Sequence, residues 1–241
     1  MRIDTHCHVD LFDDPIATAR AYEKANTSCV MVTMLPSHYQ VALPYLKPFK
    51  TIRPALGMHP LRASEGKNEI KLFLDLACSS ECIGEIGMDL STEGKKTKAL
   101  QSAILRSILP VIGSGKFVTV HSRNAHDDIA SLLEEYHVGP VCFHYFIGGP
   151  HAAAALATKD HYFSINKHML RNKQRCLIDA VPRDRILVES DGPFLTKRPL
   201  EMIEHIYDEL SRIWRTERKE TEELLTLNFN RCRTIVSLQQ S

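Results

Sequence analysis

The feature of the sequence that most constrains the fold is a short, β-rich apolar run that recurs along the chain. Helical segments separate the runs, and two amphipathic segments, 201–214 and 220–236, follow the last one. Alternating strands and helices predict a parallel α/β fold. Eight repeats within 241 residues predict a TIM-type (β/α)8 barrel that occupies residues 1–241 as a single domain. The predicted strands are 2–8, 28–35, 51–59, 82–89, 117–123, 141–146, 162–166 and 185–191.

A doubly wound open sheet is the alternative arrangement for this order of elements. Its dinucleotide-binding version carries a G-x-G-x-x-G pattern after the first strand, and the sequence after residue 8 lacks that pattern. The barrel is therefore the favoured prediction.

Composition narrows the class of protein. The net charge of +1 predicts no basic surface over the whole protein, although local basic patches stay open. No apolar run approaches the roughly 18 residues that span a membrane, and the N-terminus lacks a signal-peptide pattern. The seven cysteines are odd in number and scattered, which favours reduced thiols over a disulfide framework. We therefore expect a cytoplasmic protein with no membrane segment.

Most of the metal-capable side chains stand at the ends of predicted strands. The carboxyl ends of barrel strands converge on one face, where active sites form, so this placement predicts a single pocket. The polar residues at these ends are Asp4, His6, His8, His59, Glu85, Asp89, His121, Arg123, His144 and Asp191.

The first strand has a spacing typical of a metal site. Side chains alternate across a strand, so Asp4, His6 and His8 are predicted to share one face while Cys7 takes the other. Two imidazoles spaced in this way can bind one ion, with Asp4 as a supporting carboxylate. The other interpretation is a strand whose inward face is incidentally polar.

The number of candidate ligands indicates more than one ion. Glu85 has two oxygens and can bridge two cations, and Asp191 can also accept a proton from a bound water. A set of this size exceeds one tetrahedral site and suits two adjacent ions. Mixed imidazole and carboxylate ligands admit Zn, Mn, Co or Fe, and a looser site admits Mg. The six candidates are His6, His8, Glu85, His121, His144 and Asp191.

The motifs as a set resemble the TatD-related metal-dependent deoxyribonucleases. The matching segments, in order, are DTHCHVD, GMHP, GEIGMD, VHSRNA, the histidine of CFHYF, SIN and VPRDRILVESDGP, with a weaker match in LNFNR (227–231). The resemblance implies a (β/α)8 barrel and hydrolysis of DNA phosphodiester bonds, typically from a 3′ end. It also implies that the six candidates bind two divalent ions, with Glu85 as the bridge and Asp191 as ligand and base. His59 and Arg123 resemble residues that contact the phosphate.

The sequence departs from the family pattern in the loops. The sixth strand continues as HYFIG (144–148) instead of His-Cys-Phe-Ser-Gly, and residues 189–193 read ESDGP instead of Glu-Thr-Asp-Ser-Pro. The segment TKRPLEM (196–202) replaces an Asn-Glu-Pro element. These departures resemble a divergent TatD-like nuclease of the four-gene Qat anti-phage defence system, which would imply partner proteins from that system.

Basic and aromatic residues after the strand ends predict a surface for single-stranded DNA or 3′ ends. On a barrel the basic residues would form a positive rim around the metal face, although exposed loops are commonly basic. Tyr145, Phe146 and Phe194 are candidates for stacking on a base. Arg62, Arg123, Lys167, Tyr145 and Phe194, together with His59, are the predicted substrate-binding residues. The basic residues are Arg62, Lys95, Lys96, Lys98, Arg123, Lys167, Arg171, Lys173, Arg175, Lys197 and Arg198.

Two other functions are compatible with these motifs. One is a small-molecule metallohydrolase of the amidohydrolase-like class. Many such barrels bridge their ions with a carboxylated lysine on the fourth strand, where this sequence offers Glu85 and no lysine. The other is a subunit of a defence complex whose partners control its catalysis.

Overall fold

Eight parallel strands form the centre of the molecule and follow one another in chain order. The structure, a computed structural model, describes residues 1–46, 48–113, 115–171 and 175–233. The predicted (β/α)8 barrel is confirmed, and the reversal of strand order that a doubly wound sheet requires does not occur. The strands are β1 Arg2–Cys7, β2 Thr27–Met31, β3 Ile52–Met58, β4 Cys82–Gly87, β5 Phe117–His121, β6 Cys142–His144, β7 Tyr162–Ile165 and β8 Ile186–Val188.

Hydrogen bonds between β1 and the segment that follows β8 close the barrel. The Asp191 backbone N–H donates to the His6 carbonyl (2.9 Å), and the His8 N–H donates to the Gly192 carbonyl (2.7 Å). The Thr5 hydroxyl adds a bond to the Val188 carbonyl (2.8 Å). The closure therefore lies beside His6, His8 and Asp191, the residues that the sequence assigned to a metal site.

Helices surround the strands, as the helical segments between the predicted strands indicated. Helix α2, between β2 and β3, contains Pro44. The last three residues of the predicted segment 220–236 lie outside the described residues. The helices are α1 Pro15–Lys24, α2 Pro36–Leu46, α3 Ala63–Gly66, α4 Ile70–Ala77, α5 Lys98–Ile108, α6 His126–Glu135, α7 Pro150–Ala157, α8 Arg175–Ala180, α9 Pro199–Trp214 and α10 Arg218–Arg233.

Apolar side chains and helix α10 fill the amino-terminal end of the barrel. Phe229 of α10 packs against Phe117, with ring centroids 5.0 Å apart. The Asn228 amide donates to the carbonyls of Arg183 and Ile186, each at 2.8 Å. These contacts among the described residues close this end, which leaves the carboxyl ends of the strands for a site. Each strand contributes one buried residue to this layer: Ile3, Val30, Ala55, Cys82, Phe117, Cys142, Tyr162 and Leu187.

Several strands end earlier than the sequence predicted. Strand β6 ends at His144 and β8 at Val188, whereas the predicted strands ran to residues 146 and 191. Tyr145 and Asp191, just beyond these ends, have left-handed φ values of 40° and 48°. A left-handed residue cannot continue a strand, so the chain turns there and directs the following residues across the metal face.

Close contact between the second and third strands constrains Gly57. A Cβ atom at this position would lie 1.6 Å from the Thr33 carbonyl oxygen. We expect Gly57→Ala to lower the free energy of unfolding by about 3 kcal/mol, because backbone must move to accommodate the methyl group. Urea unfolding followed by circular dichroism measures this change. Gly113→Ala is the matched control, since no atom lies within 4 Å of its Cβ position. Equal stability of the two variants would contradict the prediction.

Candidate metal centre

The carboxylate of Glu85 lies at the centre of the site and is 2% exposed. It follows Gly84 in β4 and points into the carboxyl end of the barrel. Its Oε2 atom lies 3.4 Å from the Nε2 atoms of His6, His8 and His59. One carboxylate oxygen thus faces three imidazoles from the ends of β1 and β3.

The other oxygen of Glu85 faces a second pair of imidazoles. Its Oε1 atom lies 2.6 Å from Nδ1 of His121 and 3.3 Å from Nε2 of His144. His121 ends β5 and His144 ends β6. Each oxygen of Glu85 is therefore nearest to a different set of imidazoles.

Asp191 completes the first of these groups. Its Oδ1 atom lies 4.0 Å from Nε2 of His8. Ligand atoms of His6, His8 and Asp191 all lie within 4.8 Å of one another, as do those of His6, Glu85 and His144. Such sets of imidazole and carboxylate ligands suit a divalent transition metal.

Unsatisfied ring nitrogens indicate that this cluster fits a cation. Nδ1 of His6 is hydrogen-bonded to the Thr119 hydroxyl (3.1 Å), which leaves Nε2 directed at Glu85. Within the described part of the chain, this buried Nε2 and the buried Nδ1 of His8 have no hydrogen-bond partner. A buried polar atom without a partner is costly, and a metal ion would satisfy the nitrogen of His6.

A buried carboxylate that the sequence interpretation missed orients His144. Glu189 accepts a hydrogen bond from Nδ1 of His144 (3.1 Å) and directs Nε2 toward Glu85. It also accepts bonds from the Ser164 hydroxyl, the Asn166 amide (3.0 Å) and the Tyr145 N–H (3.1 Å). The sequence signal was an acidic residue directly after an apolar strand, two positions before Asp191.

Asp89 has a comparable position beside His121. Its Oδ2 atom lies 2.8 Å from Nε2 of His121, so this imidazole stands between Asp89 and Glu85. Burial raises the pKa of Asp89, but hydrogen bonds from His121 and Ser91 outweigh burial and hold it at about 2. The sequence placed Asp89 at a strand end without a role, and the structure makes it a partner of His121.

The predicted shared face of Asp4, His6 and His8 is wrong for Asp4. The pairing of β1 with β2 is irregular between Asp4 and Cys7, and this irregularity interrupts the alternation of side chains. Asp4 instead accepts hydrogen bonds from the Tyr22 hydroxyl (2.7 Å) and from the backbone N–H groups of His6 (3.2 Å) and Ser190 (3.0 Å). It supports the site by joining β1 to the segment after β8, and it contacts the backbone of His6 rather than its ring.

Burial and charge determine the pKa values of the cluster. Burial raises the pKa of Glu85, but the surrounding imidazoles outweigh it and hold the pKa well below its usual range. Burial lowers the pKa of His144, whereas Glu189 and Glu85 together raise it to about 10. Burial raises the pKa of Asp191 to about 8, and His144 offsets this only in part. Burial and repulsion from His144 lower the pKa of His6 to about 4. Metal ligands bind in their deprotonated forms, so the raised pKa values of His144 and Asp191 oppose cation binding.

A pocket of about 520 Å³ opens above the cluster. Phe194 is 61% exposed at its edge and packs against His8, with ring centroids 4.9 Å apart. Phe146 is 1% exposed and packs against Phe163, so the suggestion that it stacks on a base is wrong. The predicted site residues that line the pocket are His8, His59, Glu85, His121, Arg123, His144, Tyr145, Asp191 and Phe194.

Other predicted residues lie away from this pocket. His6 and Asp4 are buried beneath it. Arg62 forms an ion pair with Glu65, and Lys167 lines a different cavity. Lys173 lies outside the described residues.

A barrel that gathers imidazoles and carboxylates at the carboxyl ends of its strands has the architecture of a metal-dependent hydrolase. The family model described as TatD related DNase matches residues 3–233, and the chain belongs to this family. An uncharacterized metal-dependent hydrolase of Buchnera aphidicola subsp. Baizongia pistaciae is 28% identical over 227 residues, 86% of this chain and 84% of the relative. Deoxyribonuclease TATDN3 of Homo sapiens is 26% identical over 214 residues, 80% of this chain and 78% of the relative.

The fold has a close counterpart among solved structures. YJJV, a TatD homolog from Escherichia coli K12, superposes with a TM-score of 0.80 at 20% sequence identity, over 94% of this chain and 95% of that chain. Among residues 1–46, 48–113, 115–171 and 175–233, no helix combines the length and apolar character needed to cross a membrane.

The contact between Glu189 and His144 yields a prediction about metal affinity. We expect Glu189→Gln to weaken metal binding about 10–100-fold. The reason is that a neutral amide is a weaker hydrogen-bond acceptor for Nδ1 of His144 than the charged carboxylate, and so orients the imidazole less firmly. Titration calorimetry with Zn²⁺ or Mn²⁺ on metal-free protein measures the change. Glu134→Gln removes an exposed carboxylate that pairs with Lys159 and serves as the control. Wild-type affinity in Glu189→Gln would exclude an orienting role.

Proposed function

We propose that this protein is a divalent-metal-dependent deoxyribonuclease that removes nucleotides from the 3′ ends of single-stranded DNA. The observation that carries the proposal is the position of Glu85, whose two oxygens face separate groups of histidines in one pocket. The family and the human relative named as a deoxyribonuclease support DNA as the substrate. The 3′ direction rests on the resemblance of the sequence motifs.

The arrangement supports two cations that share Glu85. His6, His8 and Asp191, whose ligand atoms lie within 4.8 Å of one another, would hold one cation. His121 and His144, which both face Oε1 of Glu85, would hold the other. When bound, two such ions lower the pKa of a water and offset negative charge on the phosphoryl group. The ligand types admit Zn, Mn, Co, Fe or Mg.

Asp191 is the proposed proton acceptor. Its carboxylate lines the pocket, where it can take a proton from the attacking water. The turn after β8 fixes its position, since its own backbone N–H is bonded to the His6 carbonyl. The base and the ligands on β1 are therefore held by the same hydrogen bonds.

His59 and Arg123 would contact the scissile phosphate. The Leu61 N–H donates to Nδ1 of His59 (3.1 Å), which places the ring proton on Nε2. In this tautomer His59 acts as a hydrogen-bond donor toward the pocket, where its ring also groups with Glu85 and His121 as a candidate metal ligand. Arg123 is exposed at the pocket wall and has no acidic partner within 4.0 Å among the described residues, so its guanidinium is available for a phosphate oxygen.

The apolar wall of the pocket suits a nucleotide base. Tyr145 and Phe194 stand at one side, and Leu61 and Ile147 add exposed apolar surface. Aromatic side chains stack on any base, so they retain a strand end without selecting a sequence. A pocket of about 520 Å³ is large enough to hold a nucleotide.

Single-stranded oligonucleotides labelled at either end provide the direct test. We expect the protein with Mn²⁺, Mg²⁺, Zn²⁺ or Co²⁺ to shorten a 5′-labelled strand stepwise and to release mononucleotides, because one end enters the pocket. A chelator should abolish the reaction. Gel electrophoresis of the labelled products measures it. Release of the label first from the 5′ end would overturn the direction, and absence of cleavage by fully metal-loaded protein would overturn the activity.

Two substitutions test the chemistry of the centre. We expect Glu85→Gln and Asp191→Asn each to lower kcat at least about 100-fold, because the first weakens the shared ligand and the second removes the base. Asp127→Asn changes an exposed aspartate and serves as the control. Rates on a short single strand are compared at equal metal occupancy, and circular dichroism checks the fold. Full activity in Asp191→Asn would contradict its assigned role.

A small-molecule metallohydrolase is the second candidate, and the observation that favours it is the closed base of the pocket around Glu85. Turnover of a small ester by protein that leaves DNA intact would support it. The predicted association with anti-phage defence proteins, and control by such partners, stays a prediction from the sequence pattern.

A further inference from the structure

A second cavity, of about 330 Å³, lies outside the metal pocket and has an unusual lining. Its lining residues are Lys167, His168, Arg171 and His205. The first three belong to the segment between β7 and α8, and His205 belongs to α9. All four side chains offer N–H donors, and none is a carboxylate.

The positive charges of this cavity lack acidic partners. Neither Lys167 nor Arg171 has a carboxylate within 4.0 Å in the described parts of the chain. The acidic residues one turn away from His205 on α9 are occupied, since Glu201 pairs with Arg198 and Glu209 with Arg212.

Several other basic residues on the predicted rim have an acidic partner. Arg62 pairs with Glu65, Lys98 with Asp128 and Arg175 with Asp179. The positive charge of each of these side chains is already balanced by a carboxylate of the protein, so no ligand is needed to explain it. The cavity instead concentrates unpaired cations, which an anion would stabilise.

The cavity is beside the metal centre. Lys167 and His168 directly follow β7, which lies between the strand that carries His144 and the strand that precedes Asp191. The side chain of Asn166 links them, because its oxygen accepts the His168 N–H (3.0 Å) while its amide donates to Glu189 beneath His144. In (β/α)8 barrels, the loops after strands 7 and 8 frequently form a phosphate site.

We propose that this cavity is a phosphate-binding subsite that holds a second phosphate of the bound strand, away from the scissile bond. The inference rests on the proposed nuclease function and adds a path for the strand across β7. Arg171 supplies a planar fork of donors, Lys167 supplies a point charge, and the two imidazoles supply ring N–H donors. The ligand chemistry is a phosphate, which is either an internal phosphodiester or a 5′-terminal phosphate.

Binding of metal-loaded protein to single strands with hydrolysis-resistant phosphorothioate links tests the proposal. Fluorescence anisotropy is measured at several salt concentrations for the wild type, for Arg171→Gln and for the double variant Arg171→Gln/His205→Gln. Arg106→Gln is the matched control, because it removes an equal charge from an arginine that pairs with Glu135 on another helix. Strands with a 5′-hydroxyl or a 5′-phosphate distinguish the two sources of the phosphate.

We expect Arg171→Gln to reduce the slope of log Kd against log salt by about 0.7, the value for one phosphate contact on a single strand. The double variant should bind about tenfold more weakly, whereas Arg106→Gln should match the wild type. A loss in both strands assigns an internal phosphate, and a loss confined to the 5′-phosphorylated strand assigns the terminal one. An unchanged slope and Kd in both variants would overturn the subsite.

Hydrolysis measured on the same proteins separates this inference from the proposed function. Wild-type protein that cleaves DNA while both variants bind normally would refute the subsite alone. Wild-type protein that neither binds nor cleaves DNA would refute the nuclease function and the subsite with it. Thermal melting of Arg171→Gln should match the wild type, since Arg171 is exposed, and melting of the double variant checks its fold because His205 is half-buried.

Discussion

The structure depends on the buried carboxylate of Glu85, whose negative charge is stabilised by the imidazoles that surround it. A charge with the burial of Glu85 costs several kcal/mol unless it is paired. The partners come from β1, β3, β5 and β6, so the barrel must bring four strand ends to one point to satisfy one side chain. The strand ends that converge on Glu85 stabilise its charge and also supply a set of candidate metal ligands. The stability of the fold and the binding of a metal therefore require the same arrangement of strands.

The sequence predicted the barrel and the gathering of ligands because both depend on local patterns. Apolar runs identify strands, and the carboxyl ends of parallel strands meet regardless of the loops between them. The predicted position of Asp4 was wrong because the pairing of β1 with β2 is irregular and interrupts the alternation of side chains along β1. The sequence of a single strand does not reveal such an irregularity in its pairing. Glu189 was missed for a different reason. Its role depends on Asn166 and His144, which are distant in sequence.

The function of the basic residues on the rim also depends on contacts that the sequence does not reveal. The sequence identifies Lys and Arg after strand ends, but it does not say which of them already have a carboxylate. Arg62 is paired with Glu65 and contributes little to an anion site, whereas Arg171 and His205 meet only because α9 packs beside the segment after β7. Net charge near zero therefore coexists with a local concentration of unpaired cations.

The closure of the barrel has a consequence for the order in which the protein matures. His6 and His8 precede Asp191 in the chain by about 180 residues, so they leave the ribosome well before it. The bonds from Asp191 to His6 and from His8 to Gly192 can form only after that point. A growing chain consequently carries an incomplete set of the candidate ligands until the segment after β8 has been made. Helices α9 and α10 follow that segment, so all the candidate ligands are present before the barrel is fully enclosed.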